Sequence, residues 1–468
     1  MGRSRDRACR ADTELRAEAK TVSAVTQAQD SYLESFARFE EGAAGSGQEW
    51  VRSIRRSAMA RFSELGFPTT HEEDWRFTNV APIAETSFRL AEDGHVSPTA
   101  RELEGFGFSD LAGIRLVFVN GRYEPGLSLL QPLPEGVKVG SLVHELTTDP
   151  GSLEQHLGRY ADYQHDAFCA LNTAFMEDGA VVHIPRGTVL SEPISLLYVS
   201  APTADPAITH PRNLIVAGEE SQATIVEDYV SLSGDTHFSN VVTEVVVGEN
   251  SVVSHYRIER ESAQAFHVST LRVQQGRSSD VASHSLLLGG ALVRNNVHPV
   301  LAGDGGDCLI NGLFMGTGEQ HLDNYMKVEH AGPHCNSRQF YNGILDGRSR
   351  GVFHGRIIVH KDAQKTNAKQ TNRNLLLSDE AQIDTKPQLE IHADDVKCTH
   401  GATIGQIDED AIFYLRSRGI AEASARIMLF SAFARESLGR VKNESIRQHL
   451  EGLVRQWLPP GRRLEETQ

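Results

Sequence analysis

Cysteine, aromatic side chains and positive charge are all in short supply in this chain of 468 residues. Its five cysteines (Cys9, Cys169, Cys308, Cys335 and Cys398) are odd in number and widely scattered, which excludes a disulfide framework. No two stand in a C-x-x-C pair, so neither a zinc ribbon nor a thioredoxin-type motif is encoded. Basic residues number 46 against 62 acidic, a net charge of −16. That balance argues against nucleic acid or an anionic membrane as the main partner, since both want a basic face. No apolar run is long enough to span a bilayer. The start, MGRSRDRACRADTELRAEAK, is Arg-rich but has no apolar h-region, and it holds Asp6, Glu14 and Glu18, which transit peptides avoid. Position 6 is Asp, so the myristoylation pattern fails. Together these absences predict a cytoplasmic protein. Enzyme signatures are missing too. There is no G-x-x-x-x-G-K-[ST] loop and no G-x-S-x-G elbow. HEEDW (71–75) opens like a zinc-protease helix, but Trp75 stands where the second His belongs.

Apolar spacing of three and four residues predicts helices in DSYLESFARFEE and EWVRSIRRSAMARFSELG, within a helical stretch over 1–68. GAAGSG (42–47) reads as the loop between them, and Gly66 and Pro68 stop the second. IRLVFVNGRYEP reads as strand, Asn120–Gly121 turn and strand. HDAFCALNTAFMEDG (165–179) reads as a helix closed by Gly179. From 180 to 408 short Val-, Ile- and Thr-rich runs alternate with turns. Turn glycines at 218, 248, 276 and 305 recur about every 30 residues, suggesting a repeated coil. A sandwich or jelly roll and a β-helix solenoid both fit, the unbroken run of strands favouring the solenoid. Beyond 408 the helical period returns. Asn443 stands as an N-cap, Ile446, Leu450, Leu453 and Trp457 form one stripe, and Pro459–Pro460 form a stop. The expected division is a mostly helical 1–164, a β-helix core at 165–412 and a helical 413–468. The stripe packs on a neighbouring helix, while Met428, Leu429, Phe430 and Phe433 offer a docking surface.

In DDVKCTHGATIG (394–405), Cys398 and His400 are two residues apart. On a strand they share a face, with Cα atoms roughly 6–7 Å apart. A thiolate and an imidazole suit iron, zinc or an iron–sulfur unit, but a closed metal site takes about four ligands. Other rungs or another chain must supply the rest; the bland alternative is a buried thiol beside a hydrogen-bonded imidazole. HAGPHC (330–335) gathers two His and a Cys around a predicted turn at Gly332–Pro333. Asp394 and Asp395 are adjacent, hence poorly placed as an acid–base pair.

The stretch 360–420, HKDAQKTNAKQTNRNLLLSDEAQIDTKPQLEIHADDVKCTHGATIGQIDEDAIFYLRSRGI, resembles the shared core of the SufB/SufD family of iron–sulfur cluster assembly proteins. GFPTTHEEDWRFTNV (66–80) and HPRNLIVAGEESQATIVEDYV (210–230) agree, so the resemblance runs from about 65 to about 440. It is to the SufD branch: SufB characteristically reads His-Glu-Ala-Thr where His400-Gly401-Ala402-Thr403 stands here. The resemblance implies a right-handed parallel β-helix flanked by N- and C-terminal helical domains. It implies pairing with a SufB-like paralogue through the β-helices, and a SufC-like ATPase on the C-terminal helices. The chain would then be a non-catalytic scaffold for a nascent iron–sulfur cluster, with His400, and Cys398 beside it, facing SufB as cofactor-binding and metal-binding residues. Reduced flavin in the complex, and a homodimer when SufB is absent, are further implications. The missing nucleotide loop fits, since ATP belongs to SufC. A β-helix carbohydrate lyase or hydrolase is the alternative of another class, but it would need clustered carboxylates and would leave the Cys–His pair idle. The SufB paralogue itself is the other alternative.

Overall fold

The computed structural model describes residues 31–43, 48–91, 97–106, 108 and 113–457. The expectations for 1–30, for most of GAAGSG and for Pro459–Pro460 lie outside them. The core is a parallel β-solenoid of two facing sheets, eleven-stranded and ten-stranded among the described residues. Alternate rungs return to the same sheet: Asp307 pairs with Asn336 and Asn336 with Asn367, close to the spacing of about 30 read from the turns. Between the sheets lies one apolar column containing Ile225, Leu271, Phe314 and Phe353, because successive strand residues point to opposite faces and one face of each strand meets the other sheet.

The stretch 1–164, expected to be mostly helical, also gives strands to both sheets. Ile114–Val119 pairs in parallel with Ile194–Ser200, and Lys138–Ser141 pairs antiparallel with Ala180–Ile184. Leu116, Val117, Phe118 and Val119 are all buried, so this run needs cover on both faces, which a sheet provides. Asn120 and Gly121 carry the hairpin with positive φ at both positions (48° and 82°), as the turn requires.

Helices clothe the outer faces. Helix 31–42 and Glu49–Leu65 pack with Ala167–Ala174 over Ile208, Phe238, Val268 and Leu292 of the first sheet. Gly66 (φ 66°) ends the second of them, its N–H donating to the Phe62 carbonyl at 2.8 Å. Asp166 caps Ala167–Ala174 by accepting from the N–H groups of Phe168 and Cys169, each at 2.9 Å. Gly179 does not close that helix, contrary to expectation. The helix stops at Phe175, and Gly179 instead lies against the backbone of Arg212, where a Cβ would sit 2.2 Å from the carbonyl oxygen. On the second sheet, helices Glu422–Leu438 and Glu444–Trp457, which follow helix Glu409–Ser417, bury Ile427, Phe430, Ile446 and Leu450 against Tyr256, Leu286, Leu313 and Ile344. No helix among the described residues is long and apolar enough to cross a membrane.

One corner of the solenoid is a column of stacked glycines. A Cβ on Gly248, Gly303 or Gly332 would strike the backbone of the rung below: Gly218 and Glu219, Gly276 and Arg277, and Gly303 respectively. The column runs Gly218, Gly248, Gly276, Gly303, Gly332. Gly305, expected as its fourth member, instead takes φ 73° in the turn that follows. Gly303→Ala would place a methyl group 2.2 Å from the Arg277 nitrogen. It should cost about 1–3 kcal/mol of stability, as overpacking does. Gly126→Ala, with nothing within 4 Å, should cost almost nothing. Thermal unfolding of the two variants decides: equal midpoints would refute the corner argument.

Candidate functional site: the open end of the solenoid

Strand Lys397–Gln406 carries the opening Cys–His pair. It is the last strand of its sheet, as Gln382–Ile391 is of the other. The rungs below are covered on both sides; these two, among the described residues, are not, and most of Lys397–Gln406 is exposed. Two edges of unpaired backbone therefore stand side by side, with Ile391 and Ile404 exposed at 42% and 51%. Such an edge is a template for another chain. Gly401 and Gly405 have open space where a Cβ would be, so a partner backbone can approach closely.

Cys398 pairs in register with Ala368, and His400 with Gln370. Ala368 and Gln370 are buried in the solenoid, so Cys398 and His400 continue inward-facing columns out to its open end. The thiol is half-buried and packs on the central apolar column. Burial pushes its pKa up, so the free chain holds it protonated until a metal displaces the proton. The His400 imidazole is exposed and makes no hydrogen bond or ion pair among the described residues. The arrangement offers an imidazole and, deeper, a thiol. Among the described residues no three His, Cys, Asp or Glu side chains converge as a metal site.

The other sequence candidates have structural work. His330 is buried, with Nε2 2.7 Å from the Ser337 hydroxyl. Cys335 donates to the Gly303 carbonyl at 3.2 Å, and His334 is exposed at φ 59°. HAGPHC is thus a corner of the coil. Two further strand histidines are engaged as well: His298 meets Glu329 at 2.7 Å, and His354 meets Gln388 at 2.7 Å. Asp395 pairs with Lys365. HEEDW forms a short turn whose Trp75 ring lies 4.4 Å from the Arg294 guanidinium.

Of the four residues expected at a docking surface, only Met428 is exposed. Phe430 is buried, and Leu429 and Phe433 are half-buried. The stripe Ile446, Leu450 and Leu453 is buried, and Trp457 stacks on Phe430 at 6.1 Å. Sequence reasoning missed Phe413 and Tyr414, exposed at 73% and 57%. The signal was two adjacent aromatics beside Ile412, which alone of that helix is buried.

Two family models match the chain. One, described as SUF system FeS cluster assembly, SufBD core domain, matches residues 199–433; the other, described as SufBD protein N-terminal region, matches residues 26–196. An iron–sulfur cluster assembly SufBD family protein of Synechocystis is 36% identical over 408 residues, covering 86% of this chain and 89% of that one. The iron–sulfur cluster assembly protein SufD of Escherichia coli is 33% identical, over 89% of this chain and 97% of that protein. The SufD of Bacillus subtilis is 25% identical, over 93% and 99%. This likeness along nearly the whole chain displaces the carbohydrate-enzyme reading. A parallel solenoid with clothed flanks, an open end and matching models over both halves leads to one conclusion: the chain belongs to the SufBD family of iron–sulfur cluster assembly proteins.

Proposed function

We infer that the chain is a non-catalytic, SufD-like scaffold subunit of an ATP-dependent complex with a SufB-like paralogue and a SufC-like ATPase. The uncapped end of the solenoid carries this reading, with two adjacent free edges and His400 standing beside them. The paralogue docks there by extending the sheets, main chain to main chain. The nascent cluster is cargo shared across that junction, held on this side by His400 and, once deprotonated, by Cys398. A half-site of two ligands works only when a second chain completes it. Without the paralogue, the same edges pair with a second copy of this chain. The ATPase takes the exposed apolar patch of the C-terminal helices, since the ATP chemistry lies on that partner. Reduced flavin enters as a ligand of the whole complex, with no residue of this chain assigned to it.

The test is co-expression of the tagged chain with both partners. Ile391→Asp with Ile404→Asp puts charges on the exposed end and should release the paralogue while the circular dichroism spectrum stays unchanged. Undiminished recovery of the paralogue with the double variant would refute docking at this end.

A further inference from the structure

The turn Glu73–Trp75 roofs a cavity far along the chain from the Cys–His pair. It holds about 370 Å3 between that turn, the loop before Ala167–Ala174 and the outer face of the first sheet, within the range of small-molecule sites. Its floor is a ladder of side chains at matched register. Arg272 lies between Glu244 on one side and His298 on the other, and Lys327 and Arg356 are partners further along.

Three of the four cations lining it are neutralised. Arg294 pairs with Asp323, donates to the Asp74 carbonyl at 2.9 Å and lies between the rings of Trp75 and Tyr325. Lys327 pairs with Glu329 at 2.7 Å, and Arg356 with Glu390 at 2.7 Å. The Arg272 side chain makes no hydrogen bond or ion pair among the described residues, and its Nε and Nη1 are buried and unpartnered. Burial pushes its pKa down.

The neighbouring acids are committed elsewhere. Glu244, next to Arg272 in the register, takes Arg212 at 2.7 Å and the N–H groups of Gly158, Tyr160 and Ala161 at 2.8, 2.8 and 2.9 Å. Glu329 holds His298 as well as Lys327. Asp162 pairs with His165 at 2.8 Å, Asp166 caps its helix, and Glu72 accepts from Thr69 at 2.8 Å. Asp74 shares a hydrogen bond with the Tyr325 hydroxyl, and Glu64 pairs with Arg61 at 2.5 Å. Glu329, Asp162 and Glu244 favour the charge of Arg272 from a distance, but a largely buried guanidinium with no direct partner is costly, and orphaned buried donors of this kind are where an ion or ligand is expected.

We propose that this cavity binds a small oxyanion, a phosphate or carboxylate group, through the guanidinium of Arg272. A charged guanidinium N–H donates well to either group. The free Nη2 is the contact, and the Thr270 hydroxyl and the Lys327 ammonium border the same space. Because the cavity is walled by the N-terminal turn on one side and the solenoid on the other, a bound anion ties the two together.

The test uses the intact chain, titrated calorimetrically with inorganic phosphate and with succinate, against chloride at matched ionic strength. The wild-type chain should bind at least one of them; phosphate alone identifies a phosphate ligand, succinate alone a carboxylate. Arg272→Met should weaken binding by roughly 10-fold or more, the loss expected when a charged hydrogen-bonding partner is removed. Arg272→Lys, which keeps the charge but not the position of the Nη2 donor, should lie between and serves if the Met variant does not fold. Arg416→Met, on the distant C-terminal helix, should bind as wild type does. No binding of either anion by the wild-type chain, or equal affinity in Arg272→Met and Arg272→Lys as in wild type, overturns the proposal.

Discussion

His400→Ala should leave the chain folded and its complex assembled, yet strip the purified complex of most of its iron and sulfide. The side chain is exposed and touches no hydrogen-bonding partner among the described residues, so its loss should change stability by no more than about 0.5 kcal/mol. Its chemical loss is larger. Removing even a residue that only orients a metal ligand typically lowers metal affinity about 10–100-fold, and His400 is proposed as a ligand itself. Iron and acid-labile sulfide per complex, together with growth of a strain dependent on this pathway, provide the measurement. Normal cluster content in the variant would return the Cys–His pair to simple packing. Cys398→Ala refines the outcome: a smaller loss assigns the half-buried thiol to packing, and an equal loss assigns it to ligation or sulfur relay.

The second large effect concerns the C-terminal helices, and here the fold changes the experiment that the sequence suggests. Deleting 413–468 would remove the cover from Tyr256, Ile258, Leu286, Leu313, Met315 and Ile344. Each large apolar side chain returned to water costs roughly 1.5–3 kcal/mol, so the truncated chain should aggregate and report nothing about docking. Substituting Phe413, Tyr414 and Met428 together by Ser leaves that buried face intact, because all three point into solvent. The triple variant should keep its unfolding temperature and lose the ATPase, with roughly 2 kcal/mol or more lost for each anchor that is a hot spot. Stoichiometric recovery of the ATPase with this variant would rule out the patch as the docking surface.

Much of this molecule was legible along the chain. The hairpin at Asn120–Gly121, the Gly66 helix stop, the Asn443 cap (accepting from Ile446 at 3.0 Å) and the shared face of Cys398 and His400 all follow from local rules. Such features depend on residues within a few positions of one another. The glycine column was half-read: its period was visible, but Gly303 and Gly305 are equivalent as symbols. Only the stacked backbone shows which of the two meets Arg277.

By itself, the sequence determined the period of the coil, the helical ends and the pairing of a thiol with an imidazole on one strand. Tertiary structure alone decided that this strand is the last rung among the described residues, that Phe413 rather than Phe430 meets solvent, and that Arg272 makes no ion pair among the described residues. The physical reason is common to all three. Exposure and charge compensation are set by partners about 30 residues or more away, such as Ala368 beneath Cys398 and Glu244 beside Arg272. No periodicity within a strand or a helix records which of those distant partners is present, or already engaged.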